Sequence, residues 1–276
     1  MRLWIIGKWG MLAQAMQRAS RAAGIEFVAT TRKEVNLLDE GALTAQFKTL
    51  NFSHVINCSG YTAVDQAEEE TEAAHALNEK GVELLAKLCA KHGKKLLHFS
   101  TDYVFDGKAG EYEAEDAPSP LSVYGRSKAA GEAALLRHHP EGCIIRTSWL
   151  FGKEGSCFVK KMIMLMQERE RLQVVDDQRG RPTYADDLAE AALGLLESSG
   201  IHHFSNSGET SWHGFATEIL EKLKGRGVKC QEIEPISSET FGAKAVRPER
   251  AALKSSKSSR PWNEGVDEVI AHVLGS

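Results

Sequence analysis

The chain alternates short apolar runs with longer amphipathic segments, and this alternation constrains its fold more than any other feature. The apolar runs predict strands at 3–6, 26–29, 54–57, 96–99 and 143–146. The segments between them predict helices at 11–23, 68–91 and 127–136. Strands joined by helices of this length form right-handed βαβ units, so the sequence predicts a doubly wound α/β domain whose parallel sheet is covered on both faces.

After residue 152 the alternation loosens. Helices are predicted at 158–170, 184–198 and 214–224, with one strand at 172–175. We expect residues 1–152 to form the main domain. Residues 153–276 are expected to form mainly a small C-terminal lobe that closes over the carboxyl edge of the sheet, with segments that return to the main domain. The polar Ser/Lys stretch at 254–260 is predicted to be mobile.

Composition excludes several classes of protein. Hydrophobic residues make up 42% of the chain and charged residues 26%, which is typical of a soluble globular protein. With 34 basic and 38 acidic residues the net charge is −4, so we expect no nucleic acid and no membrane surface as a partner. The five cysteines are widely spaced and indicate neither disulfides nor a zinc site, and no run approaches the ~20 apolar residues that span a bilayer. These features predict a cytoplasmic protein with reduced thiols.

A loop with two glycines connects the first predicted strand to the first helix. Gly7 and Gly10 lie in the run Gly-Lys-Trp-Gly-Met-Leu-Ala at 7–13. A turn of this kind places backbone N–H groups at a helix N-terminus, where they bind the diphosphate of a dinucleotide. An ordinary tight strand-to-helix turn that requires glycine would show the same pattern.

The end of the second predicted strand carries hydroxyls followed by cations. Thr30 and Thr31 precede Arg32 and Lys33, and no acidic residue comes before Glu34 to bind an adenosine ribose. The cations suit a 2′-phosphate, so the pattern favours NADP(H) over NAD(H). A solvated basic turn is the alternative.

Tyr124 and Lys128 lie four positions apart on one face of a predicted helix. A phenol, with a pKa of about 10, is a poor acid–base group at neutral pH, and a nearby ammonium is expected to lower that pKa. Such a pair also arises by chance on surface helices. Thr101, however, ends the fourth strand at the carboxyl edge of the sheet, and the topology brings Tyr124 back to that edge. A hydroxyl, a phenol and an ammonium would then converge beside a nicotinamide.

These residues belong to a larger set of motifs. The stretches that carry these motifs are distributed over most of the chain. They lie at 57–65 with Glu68, at 100–107 (Ser-Thr-Asp-Tyr-Val-Phe-Asp-Gly), 124–128, 146–152, 177–183 and 247–248. By these motifs the chain resembles the extended short-chain dehydrogenase/reductases and, within them, the dTDP-4-dehydrorhamnose reductase family. The fold that this resemblance implies is a Rossmann-type doubly wound parallel sheet with a small C-terminal substrate-binding lobe.

The resemblance implies reduction of the C4 keto group of a nucleotide-linked 4-keto-6-deoxyhexose, which converts dTDP-4-dehydro-L-rhamnose to dTDP-L-rhamnose. NADPH, or NADH, would deliver hydride to C4, and Tyr124 would protonate the oxygen. Lys128 would hold the nicotinamide ribose and lower the pKa of the phenol, and Thr101 would hydrogen-bond the carbonyl oxygen. The implied substrate-binding residues are Val64, Thr101, Asp102 and Trp149.

The resemblance also implies a cofactor site that runs from the glycine loop past the third strand. Ser59, Gly60 and Tyr61 would lie beside the cofactor, and Asp39 would approach its adenine. The full set of expected cofactor-binding residues is Gly7, Trp9, Gly10, Met11, Leu12, Arg32, Leu38, Asp39, Cys58, Ser59, Gly60 and Tyr61, together with Tyr124 and Lys128.

Several positions depart from the family pattern. Ala13 replaces the third glycine of the loop, Trp9 is bulky for a residue beside a diphosphate, and Lys8 offers a charge that could pair with a phosphate. Gln14 stands near the position of an acidic residue that links some members into a metal-bridged dimer, so the sequence argues against Mg²⁺ and against that dimer. We predict no metal ligands, and either a monomer or a homodimer.

Other functions stay open at this level. Some relatives of these reductases are NADP-binding regulatory subunits without catalytic activity, but the retention of Thr101, Tyr124 and Lys128 argues against that role. A reductase of a different nucleotide sugar would show the same motifs. Dehydratase chemistry would need Glu in place of Tyr103 after Asp102, so simple reduction is favoured.

Overall fold

The computed structural model describes residues 1–255 and 259–275, so the middle of the Ser/Lys stretch, for which mobility is predicted, lies outside the described residues. The described strands, in chain order, are β1 (Arg2–Ile6), β2 (Glu26–Thr30), β3 (His54–Asn57), β4 (Lys95–Thr101), β5 (Gly110–Tyr112), β6 (Cys143–Thr147), β7 (Leu150–Phe151), β8 (Arg171–Val175), β9 (Arg179–Gly180), β10 (Thr183–Tyr184), β11 (Gly200–His203), β12 (Thr210–Ser211), β13 (Glu232–Ile236) and β14 (Ala251–Leu253).

The described helices are α1 (Met11–Ala22), α2 (Glu40–Thr49), α3 (Val64–Ala67), α4 (Thr71–His75), α5 (Gly81–His92), α6 (Val123–His138), α7 (Phe158–Glu168), α8 (Ala185–Leu193), α9 (Trp212–Leu223), α10 (Ser238–Phe241) and α11 (Trp262–Leu274). A π-helical turn, Ala76–Lys80, joins α4 to α5. A 3-10 turn, Asp102–Val104, follows β4.

Six strands form a parallel central sheet in the order β11-β6-β4-β3-β1-β2. Alternate side chains of each strand pack on opposite faces. Leu3 and Ile5 lie in the core against α1 and α8, whereas Trp4 and Ile6 lie in the core against α2, α5 and α6. A strand buried on both faces requires such a continuous apolar run. The predicted doubly wound α/β fold is confirmed.

The sixth strand of the sheet is one that sequence patterning misses. It carries Gly200, His202 and His203 in place of an apolar run, so its sequence resembles a loop. Backbone pairing with β6, in register from Gly200 opposite Cys143, makes it an edge strand, at the opposite side of the sheet from β2. The helix predicted at 184–198 also ends early, at Leu193, because the chain must turn into this strand.

Segments after residue 152 build a second core and also return to the main sheet. β8 pairs with β13, and α7, α9 and α11 pack around Phe215. β11 and α8, by contrast, belong to the central sheet and its outer layer. Arg247 ties this second part to α3, because its guanidinium makes a bidentate pair with the Asp65 carboxylate at 3.0 and 2.7 Å.

Helix α6 lies against its neighbours with almost no space between the backbones. A Cβ at Gly125 would lie 2.2 Å from the Tyr103 carbonyl oxygen, and one at Gly131 would lie 2.0 Å from the Asn78 carbonyl oxygen. Asn78 belongs to the π-helical turn, and its side chain donates to Ser127 Oγ at 2.9 Å. These contacts fix the position of α6 on the sheet.

None of the helices in residues 1–255 and 259–275 is long and apolar enough to cross a membrane. All five cysteines lie in the described part of the chain, and each is a free thiol. Three of them, Cys89, Cys143 and Cys230, are buried.

Replacing Gly131 with alanine is expected to destabilise the protein, although this change ordinarily stabilises a helix. The new methyl group would lie 2.0 Å from the Asn78 carbonyl oxygen, and overpacking of this kind costs about 1–3 kcal/mol. Urea unfolding of the variant beside wild type measures the difference. Gly41→Ala in α2 is the matched control, because its Cβ meets only the Asp39 side chain, at 3.3 Å. Equal stabilities of Gly131→Ala and wild type would contradict the close packing of α6.

Candidate active site

The candidate site is a cleft of about 810 Å³ at the carboxyl edge of the central sheet. The strand order reverses between β1 and β3, and ligands of doubly wound folds bind at such a reversal. The loop after β1, the loop after β3 and the end of β4 form one side of the cleft. The second part of the chain supplies the other side, through Phe158 of α7 and Trp212 of α9.

The glycine loop has the geometry of an anion-binding turn. Gly7 has a φ of +98°, which a residue with a side chain rarely adopts, and its carbonyl accepts a hydrogen bond from the Gly10 N–H at 2.7 Å. Gly10 is the N-cap of α1. The Gln17 side chain donates to the Lys8 carbonyl oxygen at 2.8 Å, which holds that carbonyl on the helix side of the loop. The first N–H groups of α1 have no partners within the helix and suit an anion.

The two unusual residues of the loop leave this geometry in place. Trp9 stands at the mouth of the cleft with 68% of its surface exposed. The Lys8 ammonium lies 5.1 Å from the centre of its ring, within cation–π range. Ala13 is fully buried in the core between α1 and the sheet, so a methyl group fits where the pattern has a third glycine.

The turn after β2 presents a cation to the cleft. Arg32 lines the cleft. Glu34 is turned back onto Thr31, whose backbone N–H and hydroxyl donate to its carboxylate at 2.7 and 2.8 Å. These hydrogen bonds lower the pKa of Glu34. The Glu34 carboxylate is hydrogen-bonded within the turn, so Arg32 is the charged side chain of this turn that lines the cleft.

Thr101 and Asp102 form a buried hydrogen-bonded pair at the end of β4. The Thr101 hydroxyl donates to Asp102 Oδ1 at 3.0 Å and accepts from the Tyr103 N–H at 3.2 Å. Asp102 is 2% exposed, and burial raises the pKa of its carboxyl to about 7, against the lowering effect of the Thr101 hydrogen bond. The carboxyl of Asp102 therefore titrates much closer to neutral pH than that of an exposed aspartate.

Tyr124, in the first turn of α6, hydrogen-bonds Thr101. Burial raises the pKa of Tyr124 to about 12; the Thr101 hydrogen bond lowers it, and the Asp102 carboxylate raises it. The net shift is opposite to the lowering expected from Lys128, because burial outweighs the groups that favour the phenolate. The Lys128 amine donates to the Phe99 carbonyl oxygen, 2.6 Å away. The phenol is consequently protonated at neutral pH, as a proton donor must be.

Lys128 lies behind the loop that follows β3. A Cβ at Gly60 would lie 4.0 Å from Nζ, so the bare backbone there leaves the amine reachable from the cleft. Nζ also lies 3.2 Å from Nε2 of His98. Burial lowers the pKa of Lys128 to about 8, while the charge of Glu132 raises it. The amine therefore titrates much closer to neutral pH than an exposed lysine does.

An aromatic wall faces these groups. Trp149 and Trp212 stack with ring centres 3.7 Å apart and planes inclined by 6°. Trp149 has a φ of +46°, the one positive value of a non-glycine residue among the residues the structure describes. A Cβ at Gly180 would lie 2.7 Å from the Trp149 ring, so glycine is needed beside it. The stack holds a strained residue and offers a flat surface to a ligand.

Most of the expected site residues line this cleft. They are Gly7, Trp9, Gly10, Met11, Leu12, Arg32, Cys58, Ser59, Gly60, Val64, Thr101, Asp102, Tyr124, Lys128 and Trp149. Three expected cofactor residues lie elsewhere. Asp39 caps α2, since its carboxylate accepts from the Ala42 N–H at 2.9 Å, and Leu38 beside it is exposed. The Tyr61 hydroxyl donates a hydrogen bond to the Glu70 carboxylate at 2.9 Å. The structure does not bring these three side chains into the cleft.

The cleft also contains residues that are not among the expected site residues. Thr147 lies opposite Thr101 in the β4–β6 register, and its buried hydroxyl has no hydrogen-bond partner among the described residues. The buried hydroxyl of Ser100 likewise has no hydrogen-bond partner in the part of the chain that the structure describes. Their positions at the carboxyl ends of strands are a signal that could have found them. Trp212 has no such signal, because only tertiary packing brings α9 to the cleft.

Within the described ranges, no cluster of three or more His, Cys, Asp or Glu side chains is arranged to hold a metal ion. Gln14, at the position where some family members have an acidic residue, donates from its side-chain amide to the Trp9 carbonyl oxygen at 3.0 Å. Its side chain thus supports the glycine loop.

The reversal in strand order, the glycine loop and the Thr–Tyr–Lys set together define a dinucleotide-binding α/β protein of the short-chain dehydrogenase/reductase type. The family model of the RmlD substrate binding domain matches residues 1–274. The chain belongs to this family, and the resemblance to the dTDP-4-dehydrorhamnose reductases is confirmed.

Named relatives match nearly the whole chain. A dTDP-4-dehydrorhamnose reductase of Sinorhizobium fredii is 38% identical over 99% of this chain and 98% of that protein. The spore coat polysaccharide biosynthesis protein SpsK of Bacillus subtilis is 36% identical over 98% of this chain and 96% of that protein. A crystal structure of dTDP-4-dehydrorhamnose reductase from Bacillus anthracis in complex with NADP is 34% identical, with a TM-score of 0.92 and coverage of 98% of each chain.

The raised pKa of Asp102 makes the stability of the fold depend on pH. The carboxyl of Asp102 holds its proton more tightly in the native protein than in the unfolded chain, where its pKa is 3.8. The contribution of this proton to the free energy of unfolding is therefore full below pH 3.8 and is lost as pH rises to about 7. Asp102→Asn removes the ionisable group. The free energy of unfolding of Asp102→Asn, relative to that of wild type, is expected to rise by a few kcal/mol between pH 3.8 and about 7 and then to level off.

Urea unfolding of wild type and Asp102→Asn at a series of pH values measures this difference. Asp116→Asn is the matched control, because Asp116 is exposed and its replacement leaves the buried pair intact. Parallel stability profiles of Asp102→Asn and wild type would contradict a raised pKa at this position.

Proposed function

We propose that this protein reduces the C4 keto group of a nucleotide-linked 4-keto-6-deoxyhexose, converting dTDP-4-dehydro-L-rhamnose to dTDP-L-rhamnose with NADPH or with NADH. The convergence of Thr101, Tyr124 and Lys128 in a cleft beside the glycine loop carries this proposal. The names of the relatives support the substrate, and the NADP in the Bacillus anthracis structure supports the cofactor.

The residues at the strand-order reversal fit a dinucleotide. The N–H groups at the start of α1 suit a diphosphate. A Cβ at Gly7 would lie 3.3 Å from the Cys58 carbonyl group, so the two loops approach closely and Gly7 leaves room between them. The buried hydroxyls of Ser100 and Thr147 line the same cleft and lack partners within the described residues, as expected of groups that bind a ligand.

The cofactor would be held by Gly7, Trp9, Gly10, Met11, Leu12, Arg32, Cys58, Ser59 and Gly60, with Tyr124 and Lys128 at its reacting end. When bound, NADPH supplies the hydride that reduces the sugar carbon. Leu38, Asp39 and Tyr61 stay predictions, because their side chains lie outside the cleft lining.

Tyr124 is the proposed proton donor. Its pKa of about 12 keeps the phenol protonated at neutral pH, so it has a proton to give to the keto oxygen as negative charge develops there. Thr101 hydrogen-bonds the phenol and would donate its one hydroxyl proton to the same keto oxygen in place of Asp102 Oδ1, to which it donates in this structure. The ammonium form of Lys128 would stabilise the phenolate that remains.

The sugar would bind between the catalytic side chains and the aromatic wall. Asp102 has a second carboxyl oxygen beyond the one that Thr101 engages, and it would accept hydrogen bonds from sugar hydroxyls. Trp149, backed by Trp212, would pack against the apolar face of the ring. Val64, at the start of α3, would flank the pocket.

The proposed setting is a cytoplasmic monomer or homodimer without nucleic-acid or membrane partners. The net charge of −4 and the free cysteines support this setting. Residues 1–152 would hold the cofactor and the catalytic Thr101, Tyr124 and Lys128. Residues 153–276 would form mainly the substrate lobe, while β11 and α8 lie with the central sheet.

Tyr124→Phe is expected to lower kcat by about 10²–10⁴-fold, because the variant lacks the proton that completes the reduction. Its affinity for NADPH should stay close to that of wild type. Absorbance of NADPH, with the dTDP-4-keto sugar generated in place, measures turnover, and fluorescence titration measures binding.

Tyr112→Phe is the matched control for this experiment. Tyr112 stacks on Phe105 and donates to Asp106, away from the cleft, so its loss should leave kcat unchanged. An unchanged kcat in Tyr124→Phe would contradict the proposed proton donor. NADPH binding by wild type without any turnover would indicate a regulatory subunit or a different sugar.

Arg32→Ala is expected to weaken NADPH binding by about 10–100-fold, because a charge-assisted hydrogen bond to the 2′-phosphate contributes roughly 1.5–3 kcal/mol. NADH lacks this phosphate and is the matched control ligand for the same variant. Fluorescence titration with both nucleotides measures the two affinities. Equal losses for NADPH and NADH would show that Arg32 does not bind a 2′-phosphate.

A further inference from the structure

His98 is a buried histidine that the proposed mechanism does not use. It lies in β4 with none of its surface exposed, and it does not line the cleft. Its ring is the third member of a chain of hydrogen bonds. This chain begins in the loop after β3 and consists of Ser59, Asn57, His98 and Lys128.

Ser59 fixes the orientation of the Asn57 amide. The backbone N–H and the hydroxyl of Ser59 both donate to Asn57 Oδ1, at 3.1 and 2.6 Å. The amide nitrogen of Asn57 therefore faces His98, 3.1 Å from Nδ1. Because an amide NH₂ group only donates, His98 Nδ1 must accept. The proton of the neutral ring is then on Nε2.

That proton is directed at Lys128, whose Nζ lies 3.2 Å from Nε2. An ammonium has three donors and no acceptor, so it opposes the Nε2–H group, whereas a neutral amine accepts from it with its lone pair. In either form Lys128 donates to the Phe99 carbonyl oxygen at 2.6 Å. The hydrogen-bond chain thus gives the neutral amine a partner for its lone pair and for one N–H group, whereas the ammonium finds an acceptor for only one of its three N–H groups.

We propose that His98 is a positioning residue that holds the Lys128 side chain and sets the pH range over which this lysine keeps its proton. The inference rests on the proposed function only for its effect on turnover. The hydrogen-bond chain consists of protein groups alone, so the titration of Lys128 and the turnover can be tested separately.

The elements that pack on α6 carry further polar and titratable side chains. They are His98 of β4, the neutral Asn78 of the π-helical turn, Asp102 and Tyr103 of the 3-10 turn, and Tyr124 and Glu132 of α6 itself. Of these, His98 lies 3.2 Å from Lys128 Nζ, and the charge of Glu132 acts on Lys128. Glu132 favours the ammonium, but its carboxylate is paired with Arg146 at 2.9 and 2.7 Å. The His98 ring is neutral, because burial, with the charge of Lys128, holds the pKa of His98 well below its ordinary value.

His98→Gln tests the proposal, because the glutamine amide can present its carbonyl oxygen where the Nε2–H group was. An ammonium donates to this oxygen, so the pKa of Lys128, about 8 in wild type, is expected to rise by about one unit or more. NMR titration of protein with ¹³Cε-labelled lysine, without cofactor, measures this pKa. Lys128→Met identifies the signal.

His54→Gln is the matched control. His54 is also buried, but it lies at the first position of β3, where its ring bonds Ser53 and Glu197 at 2.8 Å each. Its replacement should leave the titration of Lys128 unchanged. Identical Lys128 titrations in wild type and His98→Gln, or an equal shift in His54→Gln, would overturn the proposal.

Turnover gives the second readout. Where the ammonium is required, kcat/KM falls as pH rises through the pKa of Lys128, and this fall should occur about one pH unit higher in His98→Gln. If the NMR titration moves and the fall in kcat/KM does not, His98 controls Lys128 as proposed, and the role of the Lys128 ammonium in the proposed reaction is wrong.

Asn57→Asp keeps the proposal testable if His98→Gln does not fold. The new carboxylate accepts from Ser59 and also from His98 Nδ1, so the ring proton moves to Nδ1 and Nε2 accepts from Lys128. The pKa of Lys128 is again expected to rise. An unchanged titration of Lys128 in Asn57→Asp would overturn the proposal as well.

Discussion

The backbone contact between α6 and its neighbours is the constraint on which the rest of the site depends. No side chain fits at Gly125 or Gly131, where a Cβ would lie 2.2 and 2.0 Å from carbonyl oxygens of the 3-10 turn and the π-helical turn. Tyr124 and Lys128 stand on successive turns of this helix, so any shift of α6 would carry both away from the end of β4. Two glycines that do not line the cleft therefore determine the geometry of the site.

Burial then determines the chemistry of the side chains that α6 and β4 bring together. It keeps the Tyr124 phenol protonated, with a pKa of about 12, and moves the pKa values of Asp102 and Lys128 to about 7 and 8. Each buried group has a fixed partner, as buried polar groups require: Thr101 for Asp102 and the Phe99 carbonyl for Lys128. A protonated phenol beside a titratable amine suits the direction of reduction.

The sequence predicts the parts of the fold that local patterns determine, such as β3 at 54–57 and the glycine loop that opens α1. It also predicts the cleft residues whose hydroxyls lie at strand ends, such as Thr101. It misses β11, whose polar sequence becomes a strand only by pairing with β6, and Trp212, which tertiary packing brings to the cleft. It also gives the wrong direction for the pKa of Tyr124, because burial is not visible in a four-residue spacing.

The destination of the hydride tests the proposed reaction most directly. Purified protein would receive the 4-keto sugar nucleotide, generated in place, with NADPH that carries deuterium at C4 of the nicotinamide, and the product would be examined by NMR. The proposed reaction predicts deuterium bonded to C4 of a 6-deoxyhexose, with one NADPH consumed for each sugar reduced. A product without deuterium at that carbon, or NADPH that binds and is not consumed, would contradict it.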